Sequence, residues 1–384
     1  MMNQVQLAEI CDLVSGQSPP SSSYNQDRDG VPFFQGKADF GELYPRVRYW
    51  CTEPKKMSIP GDILFSVRAP VGPTNVNNIN ACLGRGLCAI RSKDRVIQKY
   101  LLHYLRANEH KIAALGTGST FKAITIKELR SIKIPLPSLE EQKRIATILD
   151  AADELRQKDK ALIAKYDEFT QSLFLDMFGD PVTNPMKWDE LKLENVCTKV
   201  TDGTHHSPKP RNSGYPYVTA KHIKPFKLDF GKKPTYVDET AHNEIYKRCT
   251  PEFGDVLYIK DGATTGVACI NTFDKPISML SSLALLKLKS DIINNHYLCH
   301  WLNHGGVKEK LITQFMSGAA IKRYTLKKIS SFVLPIPPFD LQSRFSEQVQ
   351  TIGDQKAIAQ ASLNKSEDLF NSLLQKAFKG ELTN

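Results

Sequence analysis

Along residues 139–178, Ile145, Ile148, Ala152, Leu155, Leu162, Tyr166, Phe169, Leu173 and Met177 recur at spacings of mostly three and four. No Pro or Gly interrupts the stretch, and Asp159 breaks the apolar stripe once. The pattern predicts one long amphipathic helix with heptad character, about 60 Å long at 1.5 Å per residue. A second stretch, 341–378, carries Phe345, Val349, Ile352, Ala359, Leu363, Phe370, Leu373 and Ala377, and includes Gly353. It predicts a second long helix with a poorer stripe. Two helices with one apolar stripe each most simply bury those stripes against one another. The alternative is that each helix packs on its own neighbouring domain.

The segments before each helix have a different rhythm. Short apolar runs such as Ile63-Leu-Phe and Val256-Leu-Tyr-Ile are separated by turn signals, among them Asp29-Gly30, Pro60-Gly61, Asp202-Gly203 and Asp261-Gly262. These predict short strands. A helix near 97–114 and another near 292–314 interrupt them, and Pro-x-Pro segments at 135–137 and 335–338 close each β-rich part.

The two halves are copies. Pro60-Gly-Asp-Ile-Leu-Phe65 recurs as Phe253-Gly-Asp-Val-Leu-Tyr258, and Tyr100-Leu-Leu-His-Tyr-Leu as Tyr297-Leu-Cys-His-Trp-Leu. Gly118, Lys122, Thr125, Gln142 and Phe178 match Gly318, Lys322, Thr325, Gln342 and Phe378. The offset grows from 186 at Leu7/Leu193 to 200 at Lys122/Lys322, then stays fixed. Loops absorb insertions; a packed helix does not, because each added residue rotates all that follows by about 100°. The reading is an α+β chain used twice: β-rich parts at 1–138 and 181–338, helices at 139–180 and 339–384.

Composition agrees with a globular chain: 384 residues, 41% apolar and 24% charged, with a net charge of +10. No apolar run is long enough to span a bilayer, no signal peptide is visible at the N-terminus, and a cytoplasmic location is expected. Eight scattered cysteines form no C-x-x-C pair and read as reduced thiols. The charge divides along the repeat. Residues 1–138 hold 18 Lys+Arg against 11 Asp+Glu, and 181–338 hold 22 against 14. The helical segments hold 6 against 10 and 5 against 6. Two basic modules on non-basic helices suggest two contacts with one polyanion.

Common catalytic signatures are missing. There is no G-x-x-x-x-G-K-[ST] loop, no Asn-Pro-Pro-Tyr or Asp-Pro-Pro-Tyr, and no H-E-x-x-H. His296, His300 and His304 share a helix face, but the matching helix offers Lys99, His103 and Ala107, so no metal site is expected. Asp255-Val-Leu-Tyr-Ile-Lys260 imitates part of a nuclease motif and reads better as a turn opening a strand.

Three pairs of loops carry residues suited to nucleic acid: Gly16-Gln-Ser-Pro-Pro-Ser-Ser-Ser-Tyr24 with Thr201–Arg211, Pro32–Lys37 with Pro216–His222, and Gly116–Lys122 with Ser317–Arg323. Lys122 and Lys322 are the leading phosphate-contact candidates, followed by Lys37, Lys221, Arg68 and Lys260, with Arg323 beside Lys322. Asp202, Thr204, His205 and Lys209 are the recognition candidates of the second half.

With Gly16-Gln-Ser-Pro19, Asp202-Gly-Thr-His205, the Gly-Asp-(Ile/Val)-Leu strands and Ile134-Pro-Leu-Pro-Ser-Leu-Glu-Glu-Gln-Lys-Arg-Ile145, the chain resembles the specificity (S) subunits of type I restriction-modification systems. The resemblance implies two target recognition domains, each reading half of a split, asymmetric DNA site. It implies an antiparallel coiled coil with internal pseudo-two-fold symmetry that measures the gap. It implies two methyltransferase (M) subunits and restriction (R) subunits as partners, with S-adenosylmethionine, ATP and Mg on those subunits and no cofactor or catalytic residue here. Glu141, Gln142, Arg144, Gln342 and Arg344, at the helix entries, are the partner-binding candidates; Leu341 stands where the first copy has Glu141. The rival readings are a specificity-like subunit of a different modification enzyme, and a two-domain scaffold that binds proteins only.

Overall fold

A computed structural model describes residues 3–118, 122–316 and 323–382. The two long helices are Leu139–Phe178 and Phe339–Lys379. Gly353 lies inside the second without ending it. The helices predicted near 97–114 and 292–314 each break in two, as Gln98–Ala107 with Glu109–Ala114 and Asn295–Asn303 with Gly305–Met316.

The chain forms two compact units, one of residues 1–161 with 360–384, the other of 162–359. The division falls inside the long helices, not at their ends. Aromatic packing shows why. Phe378, from the end of the second repeat, packs on Tyr100 and Tyr104 of the first. Phe178, from the end of the first repeat, packs on Tyr297 of the second. A sequence repeat and a folded unit are therefore different objects, because each helix end completes the other repeat's core.

Each unit holds a four-stranded antiparallel sheet with the same strand order. In the first unit Cys11–Ser15, Leu87–Ser92, Ile63–Ser66 and Thr74–Val76 lie side by side; in the second, Cys197–Asp202, Leu283–Leu288, Val256–Ile259 and Ala268–Ile270. The strand Cys197–Asp202 carries one extra residue, a bulge between Cys197 and Lys199. That bulge makes Ser15 and Asp202 equivalent, since both close the same register. The Gly-Asp pairs open strands as expected. Gly61 and Gly254 have φ of +94° and +88°, which L side chains rarely adopt. Asp62 then accepts the Ile59 N–H and the Nε and Nη2 donors of Arg91, and Asp255 accepts the Glu252 N–H and pairs with Lys287.

The units differ beside this sheet. The first adds a five-stranded sheet that includes Val31–Phe34 and Tyr49–Cys51. The second has a three-stranded sheet and a helix, Glu239–Arg248.

Within each unit the long helices pack antiparallel. In the first, Ile145, Leu149 and Ala152 share a core with Phe370 and Ala377. In the second, Phe174 and Phe178 share one with Phe345. Asp159 is buried and accepts the hydroxyls of Ser362 and Ser366. No helix of the described residues is long and apolar enough to cross a membrane.

Candidate nucleic-acid interface

In the first unit an open cleft of about 560 Å³ is lined by Ser18, Tyr24, Gln35–Lys37, Ser66, Arg68, Ala69 and Gly84-Arg85-Gly86. Three side chains on it are cationic, and none is acidic. Among the described residues, no carboxylate lies within ion-pair distance of Lys37, Arg68 or Arg85. A basic, acid-free concavity is what a phosphate backbone requires.

Local chemistry builds each wall. Buried Asp39 accepts the N–H groups of Gln35 and Gly36, at 2.7 and 3.3 Å, and the Arg48 guanidinium at 2.8 Å. It thereby holds the turn that exposes Lys37. A Cβ on Gly86 would sit 2.3 Å from the Gln35 carbonyl oxygen, and one on Gly16 2.1 Å from that of Gly84. Only glycine permits these approaches. Arg68 pairs through its backbone with Ala123, so Lys122 follows along the same edge and is exposed.

In the second unit the equivalent positions carry different residues. Ser18 corresponds to His205, Arg68 to Asp261, and Gly84-Arg85-Gly86 to Leu280-Ser281-Ser282, while Lys221 lies on the turn that matches that of Lys37, one position further along it. The Lys221 turn is again pinned from within. His222 Nδ1 accepts the Thr219 N–H at 3.0 Å, so Nε2 carries the proton and donates to the Lys233 carbonyl at 2.8 Å. Burial pulls the pKa of this imidazole down, in keeping with a neutral ring. Lys221 donates to Thr235 at 2.6 Å. Thr204 Oγ1 accepts the His206 N–H at 3.1 Å, which shapes the loop that exposes His205 and Lys209.

Several candidates lie elsewhere than expected. Lys260 is 3% exposed and pairs with buried Asp202 at 3.2 Å. It occupies the place of Val67, just past the end of its strand, and a buried, ion-paired lysine there cannot offer a loose phosphate contact. Asp202 also accepts Arg248 and lies 3.6 Å from His205, so its carboxylate is used internally. Arg323 is exposed but faces Asp261 at 3.4 Å. Lys322 lies outside the described residues.

The helix entries bring a second correction. Gln142 and Gln342 are fully buried and cannot face a partner. Gln142 accepts the Ile97 N–H at 2.8 Å and donates to Arg95 and Pro137 carbonyls at 3.1 and 3.0 Å. Gln342 repeats this with Asn294, Ile292 and Pro337 at 2.9, 3.1 and 2.8 Å. Glu141 closes a capping box with Ser138. Pro338 and Leu341 stand in the corresponding places, so the second helix begins without that box. Arg144 and Arg344 are exposed.

Arg85 and Arg248 were not among the candidates. Gly84-Arg-Gly86 had a signal, two glycines flanking a cation, too short to stand as a motif. Arg248 had none, because only the fold carries the end of its helix to Asp202. His300 bonds the carbonyl of its own helix residue His296 and stacks on Phe174. Burial lowers its pKa to about 4. It is a core side chain.

A family model described as the type I restriction modification DNA specificity domain matches residues 2–165 and again 185–367. A Methanocaldococcus jannaschii protein, provisionally assigned as the type I restriction enzyme MjaX specificity subunit, is 49% identical over 167 residues. That alignment spans 42% of this chain and 39% of the relative. The Escherichia coli EcoBI specificity subunit is 22% identical over 99% of this chain and 86% of its own length. The crystal structure of the type I restriction-modification S subunit from M. genitalium shares the fold, with a TM-score of 0.62 at 16% identity over 98% of this chain and 96% of that one. One family model thus matches a fold that is itself built twice, once in each repeat, and the chain belongs to the type I restriction-modification DNA specificity family.

Proposed function

We propose that this specificity subunit reads a bipartite, asymmetric duplex DNA site, one half through each unit, with the paired helices setting the unread gap. The observation that carries the reading is the acid-free cleft of Lys37, Arg68 and Arg85, on a sheet plan repeated with different residues in the second unit. Different side chains on one plan suit two different half-sites. Lys37, Arg68, Lys122, Lys221 and Lys322 contact phosphates; Thr204, His205, Lys209 and Arg323 lie at the second half-site. Half-site centres on one face of the duplex lie roughly one helical turn apart.

The chain supplies recognition and no chemistry of its own. Two M subunits dock on the helices, with Arg144 and Arg344 as exposed contacts, and R subunits join that complex. S-adenosylmethionine, ATP and Mg belong to those partners. Among the described residues no group of three or more His, Cys, Asp or Glu is arranged to hold a metal.

Co-expression with the partner M subunit, followed by genome-wide mapping of methylated adenines, tests this reading. It expects one motif of two fixed halves around a fixed gap. A purified complex that retains no DNA at any salt concentration would instead indicate a protein-binding scaffold.

A further inference from the structure

The two units differ at one linked pair of positions. Where the first has Ser15 and Val67, the second has Asp202 and Lys260. The equivalence is set by hydrogen bonds. The Val67 carbonyl accepts the Ile124 N–H at 3.0 Å, and the Lys260 carbonyl accepts the Tyr324 N–H at 2.8 Å. A serine and a valine have become a buried ion pair, 2% and 3% exposed.

Burying two charges strips both of water and by itself seldom stabilises a fold. The surroundings of Asp202 give the pair another use. Besides Lys260, its carboxylate accepts Arg248 and lies 3.6 Å from His205. The side chains of Arg248 and His205 are 52% and 49% exposed. One carboxylate at the base of the loop therefore holds the half-exposed Arg248 on its outer side, with His205 3.6 Å away. Lys260 compensates it from within.

Arg248 closes the helix Glu239–Arg248, which has no counterpart in the first unit. The position of Arg85 is Ser281 here, so the guanidinium comes from a different element. Its role differs as well. An arginine paired with a carboxylate has its charge largely offset, which weakens it as a phosphate anchor. One terminal nitrogen is tied to Asp202, which restricts the guanidinium and leaves its other donors for bidentate donation to guanine O6 and N7 in the major groove.

We propose that Arg248 is a base-reading residue of the second recognition domain, specific for one guanine, and that Asp202 is the positioning residue that aims it together with His205. This rests on the DNA-reading function above.

The test uses the full chain co-expressed with its methyltransferase partner, with methylated adenines mapped genome-wide. Two variants are compared with the wild type. Arg248→Lys keeps the charge and removes the fork. Asp202→Ser with Lys260→Val installs the pair of the first unit, so no buried charge is left uncompensated. Both are expected to relax the same G·C pair, in one half-site only, roughly ten- to a hundred-fold. The other half-site is unchanged. Arg248→Lys decides the base reading if the double variant fails to accumulate. Full preference retained by Arg248→Lys, relaxation at a position without guanine, or different positions relaxed by the two variants would overturn the proposal. A wild-type chain that directs methylation to no bipartite motif would overturn the function itself.

Discussion

Asp159 of the central helix accepts a hydrogen bond from Ser366 of the C-terminal helix at 2.8 Å, both side chains being buried. Ser362 donates to the other oxygen at 3.1 Å. The single interruption in the first apolar stripe is therefore matched by polar residues of the opposing helix. A buried polar match of this kind specifies register at some cost in stability. Removing one partner and removing the charge should then behave differently. Ser366→Ala strips a donor from a buried carboxylate and should lower stability by about 2 kcal/mol. Asp159→Leu leaves serines that can turn to their own helix, as Ser366 already does toward Leu363. It should cost less, or raise Tm. Thermal unfolding of both variants checks the order.

The two glutamine clasps should be equally intolerant. Gln142→Ala leaves the Ile97 N–H and two carbonyls without their partner, and Gln342→Ala does the same in the second unit. Each should cost about 3 kcal/mol, since buried polar groups left unmade cost roughly 1–3 kcal/mol apiece. Urea unfolding should show a lower midpoint for either variant. An unchanged midpoint would mean that water replaces the amide.

DNA affinity should fall and its salt dependence flatten when the first cleft is neutralised. Each phosphate contact contributes about −0.9 to the slope of log K against log salt. Replacing Lys37, Arg68 and Arg85 by alanine together should reduce the slope by up to about three. Lys122→Ala with Lys322→Ala should act the same way while leaving assembly with M intact. Binding isotherms at several salt concentrations measure this, and an unchanged slope would place the phosphates elsewhere.

Stability should decline as pH falls through the range set by His300. Its folded pKa is lowered to about 4 by burial, with the His296 carbonyl bond opposing. The unfolded chain titrates near 6.5, so it binds the proton first and is stabilised relative to the fold as pH drops. The contribution is full above about 6.5 and is lost progressively toward 4. It amounts to about 3 kcal/mol at 1.36 kcal/mol per unit. His300→Phe should remove that part of the decline. Chemical denaturation at pH 7 and pH 4.5 compares the two proteins.

Residue by residue, the chain shows what local pattern can carry. The central helix runs Leu139–Phe178, the residues that periodicity and the absence of Pro and Gly delimit. The doubled sheet follows from recurring Gly-Asp turns, whose chemistry is local. Gln142 and Gln342 were legible as a repeated pair, yet their direction was not. A repeated polar residue at a helix entry can face a partner or close a loop, and only the positions of Ile97 and Asn294 decide between them. Arg248 was illegible because its importance depends on a carboxylate 46 residues earlier in the chain.

By itself, then, the sequence determined the duplication, the lengths of the helices and the basic character of both modules. These properties depend on neighbouring residues and on composition. The tertiary structure decided the rest. It exchanged Phe178 and Phe378 between repeats, turned Lys260 inward to Asp202, left Lys37, Arg68 and Arg85 on an open cleft, and set Asp159 opposite Ser366. Each of these is a contact between distant segments. Whether a charge there is buried, paired or exposed depends on what the fold brings beside it.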